Sequence, residues 1–143
     1  MPTTKMLIPS LRYEDAPAAI EFLCSAFGFA RHAVYADDAD PKIVHHAQLT
    51  LGNSMLMLGS AMAGEAADRY RLKLAREVGG VTATFYVVIE DVEGHFATAQ
   101  AAGAEIIRPP HDNEGYAGRG YECRDPEGNV WSFGSYDPFA SQG

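Results

Sequence analysis

Two kinds of apolar spacing alternate along the chain, and each predicts its own element. The segments 30–37 (ARHAVYAD), 42–51 (KIVHHAQLTL) and 54–60 (SMLMLGS) carry short apolar runs of strand length between polar breaks. Residues 16–28 instead place Ala19, Ile20, Leu23, Ala26 and Phe27 at spacings of three and four, which predicts an amphipathic helix after a strand over 5–13. Asp15 stands where the N-cap of that helix belongs, so its carboxylate can accept from an otherwise unpaired backbone N–H. The same order returns later, with a strand over 81–90, a helix over 92–102 opened by Asp91, and strands over 104–110, 118–124 and 129–136. Phe96, Ala99 and Ala102 make the apolar face of the second helix. Between the halves, 61–80 is a connector whose Asp68–Val78 part has helical spacing and stops at Gly79-Gly80. A mobile loop is the other reading of that connector.

The recurrence is a repeat. Asp15 and Asp91 are 76 residues apart, and Gly52-Asn53 and Gly128-Asn129 share that offset. The chain therefore reads as a single domain over 1–143, α+β in class, with two strand–helix–three-strand modules at about 5–60 and 81–137. Each helix covers one sheet face, which leaves the opposite face to line a cavity. Strand alternation then sends Leu7, Pro9, Leu11 and Tyr13 toward the helices and Ile8, Ser10 and Arg12 toward the cavity. In the fifth strand Ala83, Phe85, Val87 and Ile89 go to the helix side, while Thr84, Tyr86 and Val88 go to the cavity side.

The segment CRDPEGNVWSFG, 123–134, reads as a hairpin with a polar turn at 125–129. Trp131 and Phe133 alternate toward the core and Ser132 toward the cavity. Pairing Cys123 with Val130 across the turn places Tyr121 opposite Ser132 on the cavity face, with Arg119 two residues earlier on that face. Together with Tyr86, Thr84, Ser10, Arg12 and His45, these residues make an aromatic wall with a few polar handles, the usual composition of a small-molecule pocket. The Gly-rich stretch 111–121 does not match a phosphate-binding spacing and reads as a lid or rim, with Glu114, Tyr116 and Arg119 as its ligand contacts.

A net charge of -8 argues against a nucleic-acid-binding face and is compatible with a cationic ligand. No stretch is apolar enough for a signal peptide or a membrane span, so a cytoplasmic location is the expectation. Cys24 and Cys123 have neither zinc-like spacing nor a nearby His and read as buried reduced thiols. There is no G-x-S-x-G elbow, although Tyr, His and Arg from separate strands leave an acid–base pair open. Adjacent His45 and His46 point to opposite faces of one strand and cannot share a metal from within it. His46 and Glu122 are also 76 apart; two ligands are too few for a stable metal site, so a structural role is preferred. His32, His95 and His111 read as surface or core histidines without a special role.

The twofold repeat, the Glu-Asp before each helix and the ending RGYECRDPEGNVWSFGSYDP together resemble the vicinal oxygen chelate superfamily over about residues 5–137. That group includes glyoxalase I, extradiol dioxygenases, fosfomycin-resistance enzymes and bleomycin-resistance proteins. The resemblance implies two βαβββ modules, curved sheets around a cavity, and a homodimer. Metal enzymes of the group take His, Glu or Gln ligands from the first and last strands of each module. Their places fall here on Ile8, Leu56, Thr84 and Ser132, none of which is a good ligand for a divalent metal. The resulting expectation is a metal-free, cytoplasmic, dimeric protein without a cofactor that binds a small organic molecule, a toxic cation in the manner of bleomycin-resistance proteins. The alternative is a lyase, isomerase or dioxygenase of the same superfamily that binds a divalent metal through other residues.

Overall fold

The computed structural model describes residues 7–62 and 64–140. The first module runs β1 (Ser10–Tyr13), α1 (Ala16–Phe27), β2 (Ala30–Ala36), β3 (Val44–Leu51) and β4 (Ser54–Ser60). Two short helices, α2 (Glu65–Tyr70) and α3 (Ala75–Val78), form the connector. The second module follows with β5 (Phe85–Val88), α4 (Val92–Ala101), β6 (Glu105–Asp112), β7 (Arg119–Arg124) and β8 (Val130–Gly134). The strands form two mixed four-stranded sheets in matching order, β1-β4-β3-β2 and β5-β8-β7-β6. In each sheet the first strand pairs parallel to the last, and all other pairs are antiparallel.

Local chemistry explains the helix ends. The Asp15 carboxylate accepts from the Ala18 N–H at 3.1 Å, and Gly28 ends α1 at φ 86°, a conformation costly for a residue with a Cβ. Asp91 caps α4 in the same way through the Gly94 N–H at 3.0 Å. The two outer strands are shorter than their sequence pattern suggests. Residues 7–9 and 81–84 lie outside β1 and β5, and residues 5 and 6 fall outside the described part. The connector's helical pattern is broken at Arg71, which sits at φ 55° between α2 and α3, and Gly79 caps α3. No helix among the described residues is long and apolar enough to cross a membrane.

A single core joins the modules. α1 buries Ala16, Ala19, Ile20, Leu23, Ala26 and Phe27, whereas α4 buries only Val92 and Ala99. α1 packs on α4, and its last residue crosses to the other sheet. There the Phe27 ring lies 5.2 Å from Trp131 and 4.7 Å from Phe133, centroid to centroid. Each module therefore completes the other's apolar interior.

The polar tie between the modules is Asp125, only 3% exposed. Its carboxylate accepts from the Tyr13 hydroxyl at 2.7 Å and from the Trp131 indole N–H at 3.2 Å. It also accepts from the backbone N–H groups of Glu127 and Asn129, so one buried anion orders the β7–β8 turn and anchors it to β1. Glu127 then accepts from the Glu14 and Asp15 N–H groups at 2.6 and 2.9 Å, just ahead of α1. Replacing Asp125 with Ala strands two buried donors, and the expected loss is about 3 kcal/mol of unfolding free energy in urea titrations.

His95 offers a pH readout of the same core. Burial lowers its pKa below the usual histidine value, and its Nδ1 pairs with the Tyr121 hydroxyl at 2.6 Å. Below a pH of about 6.5 the unfolded chain takes up a proton that the folded chain resists, so this contribution to stability is complete above that value and falls on acidification. The urea midpoint should drop between pH 7.5 and 5.5, and a His95→Phe variant should show a shallower drop.

Candidate functional site

Strand register decides which side chains reach the open sheet faces. In the second sheet Tyr86 pairs with Ser132, and Ser132 with Glu122, so the three stand in a row across β5, β8 and β7. His111 approaches from β6, and its Nε2 lies 2.9 Å from Oε2 of Glu122. The Arg108 guanidinium is 3.9 Å from the other carboxylate oxygen. Tyr86 donates its hydroxyl to the Tyr136 carbonyl at 2.6 Å, and the Tyr136 ring meets Tyr116 edge-on at 5.0 Å. Burial, followed by the proximity of Tyr116, raises the Tyr86 phenol above its ordinary pKa. Tyr86, Arg108, His111, Tyr116, Glu122 and Ser132 line a hollow of about 300 Å³. Gly134 makes room for it, since a Cβ there would stand 2.8 Å from the Tyr86 hydroxyl oxygen.

Register also moves two expected residues off this face. Cys123 pairs with Trp131 and Tyr121 with Phe133, one place from the pairing read out of the sequence. A shift of one residue turns a strand over. Tyr121 is therefore fully buried against Phe133 and Phe96, with its hydroxyl on His95. Arg119 goes to the helix side with it and holds Glu93 at 2.7 Å and Asp112 at 2.8 Å. Glu122 takes the place beside Ser132. The pattern of β7 carried that information: Tyr121 and Cys123 alternate with Gly120, Glu122 and Arg124, and the apolar pair belongs with Trp131 and Phe133. The pairing of His111 with Glu122 depends on irregular register between β6 and β7, which the strand pattern does not signal.

The first sheet has its own open face. Ser10 pairs with Met57 and Arg12 aligns with Gly59. His45 and His46 both border this face, and His46 is stacked on Tyr35 and 3.1 Å from the Gln48 amide nitrogen. His45 Nε2 lies 3.0 Å from Asp37 Oδ1. A hollow of about 190 Å³ lies among Ser10, Arg12, His46 and Gly59. Thr84 is exposed just before β5, and Tyr116 is exposed on the loop between β6 and β7. That loop is tied by Asn113 N–H to the Gly118 carbonyl at 2.9 Å and by the Asn113 amide to the Ala117 carbonyl at 3.1 Å.

Pairing between strands also corrects the internal equivalence. Ser10 matches Tyr86 at an offset of 76, but Met57 matches Ser132 at 75 and Gln48 matches Glu122 at 74. His46 thus corresponds to Gly120, and no symmetric His/Glu pair exists. Leu56 likewise faces the core, 3% exposed, and Met57 takes its expected place on the open face.

A divalent metal does not fit this donor set. The first- and last-strand positions offer Ile8, Met57, Thr84 and Ser132, an alkyl group, a thioether and two neutral hydroxyls. Among the described residues, no three His, Cys, Asp or Glu side chains come together in a metal-binding arrangement. Neither cysteine is primed as a nucleophile. Burial pushes the Cys123 thiol up to about 12, and burial likewise raises Cys24 despite nearby Arg31.

The β7 alternation makes a measurable distinction. Tyr121→Phe should cost about 1 kcal/mol of stability and move the His95 ring resonances without moving those of His111. Glu122→Gln should do the reverse in the same NMR experiment, leaving stability nearly unchanged.

The architecture agrees with comparisons to known proteins. The model of the Glyoxalase/Bleomycin resistance protein/Dioxygenase superfamily matches residues 6–133, and the chain belongs to that family. The uncharacterized protein Mb0911c of Mycobacterium bovis (strain ATCC BAA-935 / AF2122/97) is 28% identical over 128 residues, which cover 90% of this chain and 81% of that protein. Among solved structures, TioX from Micromonospora sp. ML1 shares 29% identity with a TM-score of 0.69, covering 92% of this chain and 98% of TioX. Glyoxalase I from Zea mays matches in fold, at 20% identity and a TM-score of 0.70, over 92% of this chain and 44% of the maize chain.

Proposed function

We propose that the protein binds a small organic cation on the open face of the second sheet, without a metal, and thereby sequesters a toxic compound. The observation that carries this reading is Glu122, a carboxylate in a hollow walled by Tyr86 and Tyr116. An acid beside aromatic faces attracts a positively charged, partly apolar ligand through both charge and cation–π contact. Glu114 at the rim adds to the negative field, Asp112 is paired with Arg119, and Arg108 offsets the field in part. Ser132 and His111 supply hydrogen bonds that fix orientation. The metal-dependent lyase, isomerase or dioxygenase alternative lacks ligands at the positions where this family's metal enzymes carry them.

A second copy of the chain completes the site. Each hollow is lined by a single module, and the second measures about 300 Å³, at the lower limit for a small-molecule site. β1 and β5 are sheet edges, and Tyr86 and Val88 on β5 are 48% and 46% exposed. An edge with exposed apolar neighbours is a surface that proteins normally cover.

Calorimetric titration with bleomycin should give saturable heat, and Glu122→Gln should weaken binding at least 10-fold, about 1.4 kcal/mol or more. Equal affinity in wild type and variant removes Glu122 from the site. Equilibrium sedimentation should report the mass of two chains, and a monomer at tens of micromolar would remove the shared cavity.

A further inference from the structure

A larger cavity lies elsewhere. About 560 Å³ opens between β1 and the connector, where Ala61, Ala67, Leu72 and Leu74 provide apolar wall. Three cations converge on it: Arg12 from β1, and Arg71 and Lys73 from the segment between α2 and α3. None of the three forms an ion pair among the described residues. The cavity's carboxylates are largely committed. Glu14 pairs with Arg76, and Glu77 accepts from the Leu74 N–H at 2.9 Å, which leaves Asp68 as the one lining acid with no partner among the described residues.

Two further features single out these cations. The Nε of Arg12 is buried with no hydrogen-bond partner, and a guanidinium N–H shut away from water without an acceptor is costly. Its terminal nitrogen reaches only the Met62 carbonyl, at 3.5 Å. Arg71 is the only non-glycine residue at positive φ among the described residues, at 55°. Its left-handed backbone ends α2 so that the next residue, Leu72, donates its N–H to the Ala67 carbonyl at 3.0 Å, a place where glycine serves at lower cost. A side chain kept there at a cost of about 1 kcal/mol is an observation that asks for a use.

We infer that this cavity binds a small organic anion, with its carboxylate or phosphate held by Arg12, Arg71 and Lys73 and its apolar body against Leu72, Leu74 and Ala67. The Nε is shut in, so the terminal N–H donors of Arg12, which reach only the Met62 carbonyl, are the ones left for an oxyanion, and arginine suits planar or tetrahedral oxyanions through paired N–H donors. The volume is within the range of small-molecule sites. This site is independent of the cation site on the second sheet, since no lining residue is common to the two hollows.

Titration of the intact protein with octanoate, octyl phosphate and octylamine tests the inference. Octanoate or octyl phosphate should bind saturably, the tighter of the two identifying the headgroup, and octylamine should bind at least 10-fold more weakly. Arg71→Gly removes the cation while easing the backbone, so the variant should unfold at a higher temperature yet lose at least 10-fold in anion affinity. Arg12→Met should lose as much. Glu122→Gln should leave anion binding unchanged, which separates this site from the proposed cation site. Equal binding of the amine and the anions, anion affinity in Arg71→Gly within twofold of wild type, or no anion binding at millimolar concentration would each overturn the inference.

Discussion

A buried carboxylate holds this protein's two halves in register. Asp125 is surrounded by donors from both modules: the Tyr13 hydroxyl from the first, and the Trp131 indole and the turn's own N–H groups from the second. Burying an anion is unfavourable unless its acceptor sites are filled, so the turn, the end of β1 and the start of β8 must be positioned together. Glu127 extends the tie two residues later by accepting the N–H groups just ahead of α1. The turn sequence DPEGN thus closes a hairpin and also fastens the second module to the helix of the first. Gly128, at φ 90°, lets that turn close while Asp125 stays buried.

The shared core follows from that arrangement. Phe27 ends α1 at a place where its ring must pack on Trp131 and Phe133, and His95 from α4 fills the remaining space beside Tyr121. Desolvation disfavours the charged form of a histidine packed among aromatic rings, which couples the interior to mild acid. The helix-facing sides of both sheets are consumed by this packing. Function is left to the opposite sides and to the connector.

Those remaining surfaces differ in chemistry although the backbone repeats. The second sheet presents Glu122, His111 and tyrosines, whereas the first presents Ser10, Arg12, His46 and Met57. The chain has the family's two-module architecture, with alkyl, thioether and hydroxyl groups at Ile8, Met57, Thr84 and Ser132 in the first- and last-strand positions. Recognition by charge and aromatic contact is the chemistry these residues support. The connector adds a cavity of its own, where Arg71 and Lys73 meet Arg12, and Arg12 lines both that cavity and the first sheet's hollow.

The sequence alone determined the repeat, the two helices with their Asp caps and the order of elements along the chain, because periodicity and capping are local properties of the chain, and its motifs carried the resemblance to the family. It also identified Tyr86 and Ser132 as open-face positions, since alternation within one strand needs no partner. Tertiary structure alone decided register. Matching the modules at a uniform offset of 76 fails by two residues in the third strand, because Tyr86 to Glu122 is two residues shorter than Ser10 to Gln48, and by one in the last, because the second hairpin closes with one residue more. One place of slip exchanged Tyr121 for Glu122 and turned a supposed ligand contact into core. The His111–Glu122 pair and the connector cavity were likewise invisible, for a common reason: each brings together residues on separate elements, and only packing fixes the distance between them.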